Sequence, residues 1–108
     1  MSMKITAAIA MSKGAPFVLD TCSLEAPRAN EVRIAVRAAG ICHTDLTSKD
    51  TMLGPKLPAV LGHEGAGVVV DVGPGVADFA VGDHVVASFG ACGACSSCAA
   101  GASSYCRH

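Results

Sequence analysis

The chain has little that would tie it to nucleic acid or to a bilayer. Lysine and arginine total 8 against 9 aspartates and glutamates, a net charge of −1, and neither sign gathers into a run. A phosphate backbone is bound by clustered positive charge, so nucleic acid is excluded as a partner. No apolar run approaches the ~18 residues of a membrane span, which excludes a membrane-spanning helix. Residues 1–11 carry Lys4, a short apolar run and Ala8-Ile9-Ala10 in the manner of a secretion signal. They are shorter than the roughly 15–30 residues such a signal needs, and they read instead as a first strand. Internal repeats and low-complexity linkers are missing. So is Gly-x-Gly-x-x-Gly: Gly65-Ala66-Gly67 runs on to Val70, and Gly73-Pro74-Gly75 to Asp78, where the third glycine would stand. No dinucleotide-binding turn is encoded. With 108 residues there is room for one small domain and a modest core.

Cysteine is what the chain has in quantity. Six cysteines without an export signal point to metal rather than disulfides, and to the cytoplasm. Cys92, Cys95, Cys98 and Cys106 form a C-x2-C-x2-C-x7-C array with glycine, alanine and serine spacers. Such spacers let one lobe, residues 90–108, wrap four sulfurs around an ion. Zinc takes four soft donors at about 2.3 Å. Ferredoxin-type iron–sulfur runs close with a three-residue spacer and Cys-Pro, neither of which is here. A redox Cys-x-x-Cys pair or a disulfide framework fits less well, because three thiols at equal spacing plus a fourth suit a cage better than paired bridges. A closed four-sulfur site has no open coordination position, so this zinc is expected to be structural and the chemistry to lie elsewhere.

The rest of the chain has a β rhythm. Residues 5–10 are apolar. Phe17, Leu19 and Thr21 alternate with Val18, Asp20 and Cys22, and Cys22 is expected to be a buried core thiol. Val32, Ile34 and Val36 alternate with Arg33, Ala35 and Arg37, the clearest half-buried strand. Residues 42–46 lack alternation and suit a short helix capped by Thr44 or Asp45, followed by a loop through Gly54, Pro55 and Pro58. Gly67–Gly73 is β-branched and bounded by glycines, Gly73-Pro74-Gly75 and Val81-Gly82-Asp83 are turns, and residues 84–87 form a last strand. Short strands without room for crossover helices predict a mainly β fold, a small antiparallel barrel or sandwich.

Cys42 at a strand-to-helix junction and His63, between Gly62 and Glu64 at a second such junction, suit an open zinc site that needs one more donor. His84 reads as decoration of a strand face, and His108 has no evident role.

These residues resemble the zinc-dependent medium-chain alcohol dehydrogenases. Gly62-His63-Glu64-Gly65-Ala66-Gly67, five residues, Gly73, two residues and Val76 follow that family's Gly-His-Glu-x2-Gly-x5-Gly-x2-Val signature without a gap. Cys42-His43-Thr44-Asp45, Val81-Gly82-Asp83-His84-Val85 and the four-thiol lobe extend the likeness over nearly the whole chain. The lobe and the Cys-His-Thr-Asp run look most like the aryl- or benzyl-alcohol branch. The resemblance implies a GroES-like, partly open β-barrel with a structural-zinc lobe. It makes Cys42 and His63 catalytic-zinc ligands and Thr44 the hydroxyl that takes the alcohol proton. His43 becomes a contact of the cofactor pyrophosphate, Asp45 a carboxylate that orients His63, and Glu64 an acidic neighbour that eases ligand exchange. The implied reaction is oxidation of a primary, aromatic alcohol to an aldehyde with NAD, in a homo-oligomer.

Thr47 stands where some members carry a relay histidine. The third zinc ligand and the nucleotide domain of the family have no counterpart in residues 1–108, so the chain is expected to be the truncated N-terminal part of a catalytic domain, inactive alone. Unpartnered edges are then expected to drive association, with Val68–Val72 as the candidate edge and its one charge, Asp71, to discourage pairing. A different class, a zinc-stapled binding or scaffold module without catalysis, would need only the four thiols and gives no reason for the Cys42, Thr44, Asp45, His63 and Glu64 spacing.

Overall fold

The computed structural model describes residues 1–51 and 54–108; positions 52 and 53 of the expected loop lie outside the described residues. Strand β1, Met3–Ala10, pairs antiparallel along its whole length with β2, Phe17–Leu24, from Met3 opposite Leu24 to Ala10 opposite Phe17. Its other edge takes β4, Ala59–Val60, a two-residue strand just beyond the stretch expected to be loop. A second sheet joins β3, Val32–Ala39, to β5, Gly65–Val72, and β5 to β6, His84–Val86. The expected barrel thus takes the form of two three-stranded antiparallel sheets, in the orders β2-β1-β4 and β3-β5-β6.

β5 is the central strand of its sheet, not an edge. Its β-branched side chains serve burial there: Val69 is fully buried, and beyond β6 the Val69 N–H and C=O are taken by Asp83 O and Gly82 N, both at 2.9 Å. Asp71, expected to discourage strand pairing, instead ties the pair together. It stands opposite Arg33 on β3, and the guanidinium donates to Asp71 Oδ2 at 2.7 Å. The edges are β2, β4, β3 and β6. On β2 every residue but Cys22 is exposed, and Cys22 itself is half-buried rather than core.

Helix α1, His43–Asp50, follows β3 after a three-residue link. Its N-cap residue is Cys42, in extended conformation and without a side-chain cap bond, so neither Thr44 nor Asp45 caps it. Both lie inside the first turn, and this frees the Asp45 carboxylate for another partner. Thr47 donates its hydroxyl to the His43 carbonyl at 3.3 Å. Helix α2, Ser96–Ala99, and a 3₁₀ turn at Ser103–Tyr105 build the lobe.

Among the described residues the core is small: Ala7, Ala10 and Val69 are its buried apolar side chains, and Lys49 is buried too, paired with Asp50. The accessible surface is 7809 Å², against about 5,500 Å² for a folded monomer of this mass. Leu19, Ile41 and Val86 are among the apolar side chains left in solvent. No helix among the described residues is long and apolar enough to cross a membrane.

Candidate functional site

Two groups of metal-ligating side chains converge. In the lobe, the ligand atoms of Cys92, Cys95, Cys98 and Cys106 all lie within 4.8 Å of one another, with Cys92 Sγ and Cys98 Sγ 3.9 Å apart. Four sulfurs at about 2.3 Å from a central ion stand about 3.8 Å from each other in a tetrahedron, so the spacing fits a single zinc. A multi-iron cluster would hold the thiols further apart.

The local chain also prepares the sulfurs for charge. Backbone N–H groups of Ala94 and Cys95 donate to Cys92 Sγ at 3.4 and 3.2 Å, and the N–H of Cys92 donates to Cys106 Sγ at 3.3 Å. N–H groups of Cys98 and Arg107 bring the Cys95 thiol down to about 6. Those of Cys92 and His108 lower Cys106. Cys98 goes the other way: the Gly93 N–H would lower it, but desolvation and the neighbouring Cys95, Cys106 and Cys92 sulfurs push it up to about 11. The metal-free lobe therefore holds both thiolate and thiol at neutral pH.

The second group joins Cys42, His63 and Glu64, whose ligand atoms also lie within 4.8 Å of one another. Cys42 comes from the link between β3 and α1, a strand-to-helix junction as expected. His63 does not: it stands in the link between β4 and β5, two strands. Gly62 makes the sharp entry there, at a φ of 142° that other residues rarely adopt. Gly40 lets Glu64 close on the opposite link, since a Cβ at Gly40 would run into the Glu64 carboxylate. The backbone fixes this approach through Gly40 N–H to Glu64 O at 2.8 Å.

His63 is 16% exposed, and its Nδ1 lies 3.3 Å from Asp45 Oδ1. That carboxylate holds one edge of the ring and leaves Nε2 toward Cys42 and toward Glu64 Oε1, 3.8 Å away. Such a carboxylate–histidine pair orients a metal-ligating imidazole. Cys42 Sγ and Thr44 Oγ1 are 3.4 Å apart. The Thr44 hydroxyl and N–H, then His63, lower the Cys42 thiol; hydrogen bonding to Cys42, aided by Asp45 and opposed by desolvation, raises His63. The three donors fit a divalent ion with a position left over. Glu64 thus lies within reach of the pair that the sequence left one donor short.

His43 is exposed on the first turn of α1, and His84 is exposed on β6. Among the described residues neither they nor His108 join a metal-ligating group. One neighbour escaped sequence reasoning altogether: Phe89 stacks on His63, ring centroids 4.7 Å apart and planes at 22°. The signal was its rarity, since the chain has only three phenylalanines and one tyrosine, and this one sits three residues before the first lobe cysteine.

The profile of the family "Alcohol dehydrogenase GroES-like domain" matches residues 28–108. An NDMA-dependent alcohol dehydrogenase of Amycolatopsis methanolica is 51% identical over 105 residues, 96% of this chain and 28% of that protein. Among solved structures, an alcohol dehydrogenase zinc-binding domain protein from Burkholderia ambifaria superposes with a TM-score of 0.95 at 53% identity, covering 99% of this chain and 29% of that one. Benzyl alcohol dehydrogenase from Acinetobacter calcoaceticus does so with a TM-score of 0.92 at 46% identity, covering 97% and 29%. The chain spans less than a third of the length of these relatives.

Proposed function

The chain belongs to the alcohol dehydrogenase GroES-like domain family, and on that premise we propose that it supplies the metal-binding, alcohol-activating part of a zinc-dependent dehydrogenase. Residues 1–108 form the first part of the catalytic domain, with residues 90–108 as its structural-zinc lobe. The reaction is oxidation of a primary aromatic alcohol to an aldehyde with NAD. The observation that carries this reading is the convergence of Cys42, His63 and Glu64 within 4.8 Å, with Asp45 on the imidazole and Thr44 beside the thiol.

When bound, zinc supplies Lewis acidity that acidifies an alcohol hydroxyl. The side chains do the rest. Cys42 and His63 hold the ion, and Asp45 keeps the Nδ1 proton of His63 so that Nε2 presents its lone pair. Thr44 Oγ1, 3.4 Å from Cys42 Sγ, accepts the hydroxyl proton of an alcohol docked at the open position. Thr47 gives its own hydroxyl to the His43 carbonyl, so the proton passes from Thr44 to water rather than along the helix. Glu64, 46% exposed, stands near enough that it would ease ligand exchange at such an ion. His43, on the exposed turn beside this group, donates to the cofactor pyrophosphate.

All six cysteines are free, which supports a reducing compartment, the cytoplasm. The exposed apolar strand faces support assembly into a homo-oligomer. A chimera tests the whole reading: this chain replaces the aligned segment of the Burkholderia ambifaria relative, and benzyl alcohol oxidation is assayed with NAD and with NADP. Turnover with NAD is expected. A folded, zinc-loaded chimera that oxidises no primary alcohol would overturn the proposal.

A further inference from the structure

The two metal-ligating groups share no ligand, yet one side chain reaches from one to the other. Phe89 lies on the face of the His63 ring at 4.7 Å, while Asp45 holds the ring's Nδ1 edge. The imidazole is therefore fixed on a face and on an edge, and its Nε2 is the atom left over. On the lobe side, Ser88, Phe89 and Gly90 line a cavity of about 330 Å³ together with Ser103, Ser104 and Cys106, so the segment carrying the phenyl ring faces the 3₁₀ turn and the last thiol of the lobe. Only two residues separate Phe89 from Cys92, whose sulfur accepts the N–H bonds of Ala94 and Cys95.

Burial does not account for Phe89, because the side chain is 73% exposed. An exposed phenylalanine gains little from the core, and among the described residues its one ring contact is with His63. Offset stacking of this kind contributes about 0.5–1.5 kcal/mol beyond area burial, enough to bias a ring that already has a carboxylate on one edge.

We propose that Phe89 is a positioning residue that couples the four-thiol lobe to His63: an ion held by Cys92, Cys95, Cys98 and Cys106 fixes the Cys92 end of the segment, which fixes the phenyl ring, which fixes the imidazole. The lobe then has a task besides stability. It sets the orientation of a ligand in the open group. The inference rests on the metal reading of both groups given above.

The test uses the reduced, metal-free chain labelled with ¹³C and ¹⁵N, with the His63 ring resonances identified by their loss in His63→Gln. One equivalent of zinc is added, and its place in the lobe is checked by protection of Cys92, Cys95, Cys98 and Cys106 from alkylation. Filling the lobe is expected to shift the His63 resonances in the unsubstituted chain and in Phe89→Tyr, and to leave them in place in Phe89→Leu. With the lobe full, cobalt binding at Cys42, His63 and Glu64, read from its thiolate charge-transfer band, should weaken about two- to tenfold in Phe89→Leu, the range that stacking contributes, and recover in Phe89→Tyr. His63 resonances that ignore zinc in the lobe, or that move equally in Phe89→Leu, would overturn the coupling while leaving both metal sites standing. Failure of the lobe to take zinc at all would instead overturn the metal reading, and the coupling with it.

Discussion

The lobe and the open group meet the same problem, bringing metal donors together, by opposite routes. The lobe takes its four thiols from fifteen consecutive residues, Cys92 to Cys106, with only short helical turns between them. The open group takes Cys42 from one link and His63 and Glu64 from another, 21 positions further on. What joins those links is the sheet: Ala39 pairs with Gly65, and Gly40 N–H bonds Glu64 O at 2.8 Å. Donors that are neighbours in sequence need an ion to hold them, because little else does; donors placed by strand register are held before any ion arrives. The lobe should accordingly depend on metal for its fold, and the open group on the fold for its metal.

The sharpest way to break this comparison is to take the lobe's zinc away. In small zinc domains the ion contributes about 10–16 kcal/mol at neutral pH, more than residues 90–108 can replace by burial, since Phe89, Tyr105 and most of their neighbours are exposed. Chelation, or Cys95→Ser, is expected to remove one zinc per chain by elemental analysis and to abolish amide-exchange protection in the lobe, while the β3–β5 ladder keeps its protection. Cys42→Ser should leave the lobe's zinc and its protection unchanged. A lobe that stays protected without metal would show that its turns close unaided.

Next in size is an effect confined to the open group. Thr44→Val in the chimera keeps the shape of the side chain and removes its hydroxyl. A positioned proton acceptor typically contributes ~10²–10⁴-fold to rate. Turnover should fall by that order with little change in KM, and the lobe's zinc should not respond. Equal turnover would remove Thr44 from the proton path.

Asp45 tests whether the sheet really presents a finished ligand. A carboxylate behind a metal-bound imidazole typically contributes 10–100-fold to metal affinity. Asp45→Ala should weaken cobalt binding at Cys42, His63 and Glu64 by about that factor, with the lobe's affinity as the internal control. An unchanged affinity would mean that Phe89 and the backbone orient His63 without help.

The same contrast explains what could be read from the chain before its structure. The lobe was legible because its information is local: spacing alone brings four thiols together. Cys42 and His63 were legible as donors of an open site from their junctions, and the roles of Thr44 and Asp45 beside them only through a family resemblance, since no periodicity links positions 42 and 63. How near Glu64 comes to Cys42 and His63 was not legible, because that depends on how Gly40 and Gly62 let two links approach, nor was Phe89, because its partner lies 26 positions away. Strands β2 and β3 followed from alternation, β1 from a short apolar run and β5 from a β-branched run bounded by glycines. The place of β5 in its sheet did not, because one charge, Asp71, reads as a guard against pairing until Arg33 is seen opposite it. The expectation that Asp45 caps the helix failed for a related reason: a favoured cap residue was taken up by a histidine from another element.

The smallest effect lies inside the lobe and asks how its metal-free state stores charge. Cys95 at about 6 and Cys98 at about 11 should titrate in separate pH ranges. At pH 7.5 Cys95 is almost wholly thiolate, whereas about one Cys98 in several thousand is. Reactivity does not follow that ratio, because nucleophilicity falls with thiol pKa at a Brønsted slope of roughly 0.4–0.5. Over this span the slope returns a factor of about 100–300 to Cys98, leaving Cys95 faster by about tenfold. Rates with a disulfide reagent, resolved by mass spectrometry, should show Cys95 flat above pH 7 and falling about tenfold per unit well below 6, with Cys98 still rising toward 11. The sign is fixed by the N–H groups of Cys98 and Arg107 that stabilise the Cys95 thiolate. Zinc should silence both thiols together. Equal rates for the two in the metal-free chain would mean that the lobe has lost its turns along with its ion, which would carry the local half of the comparison further still.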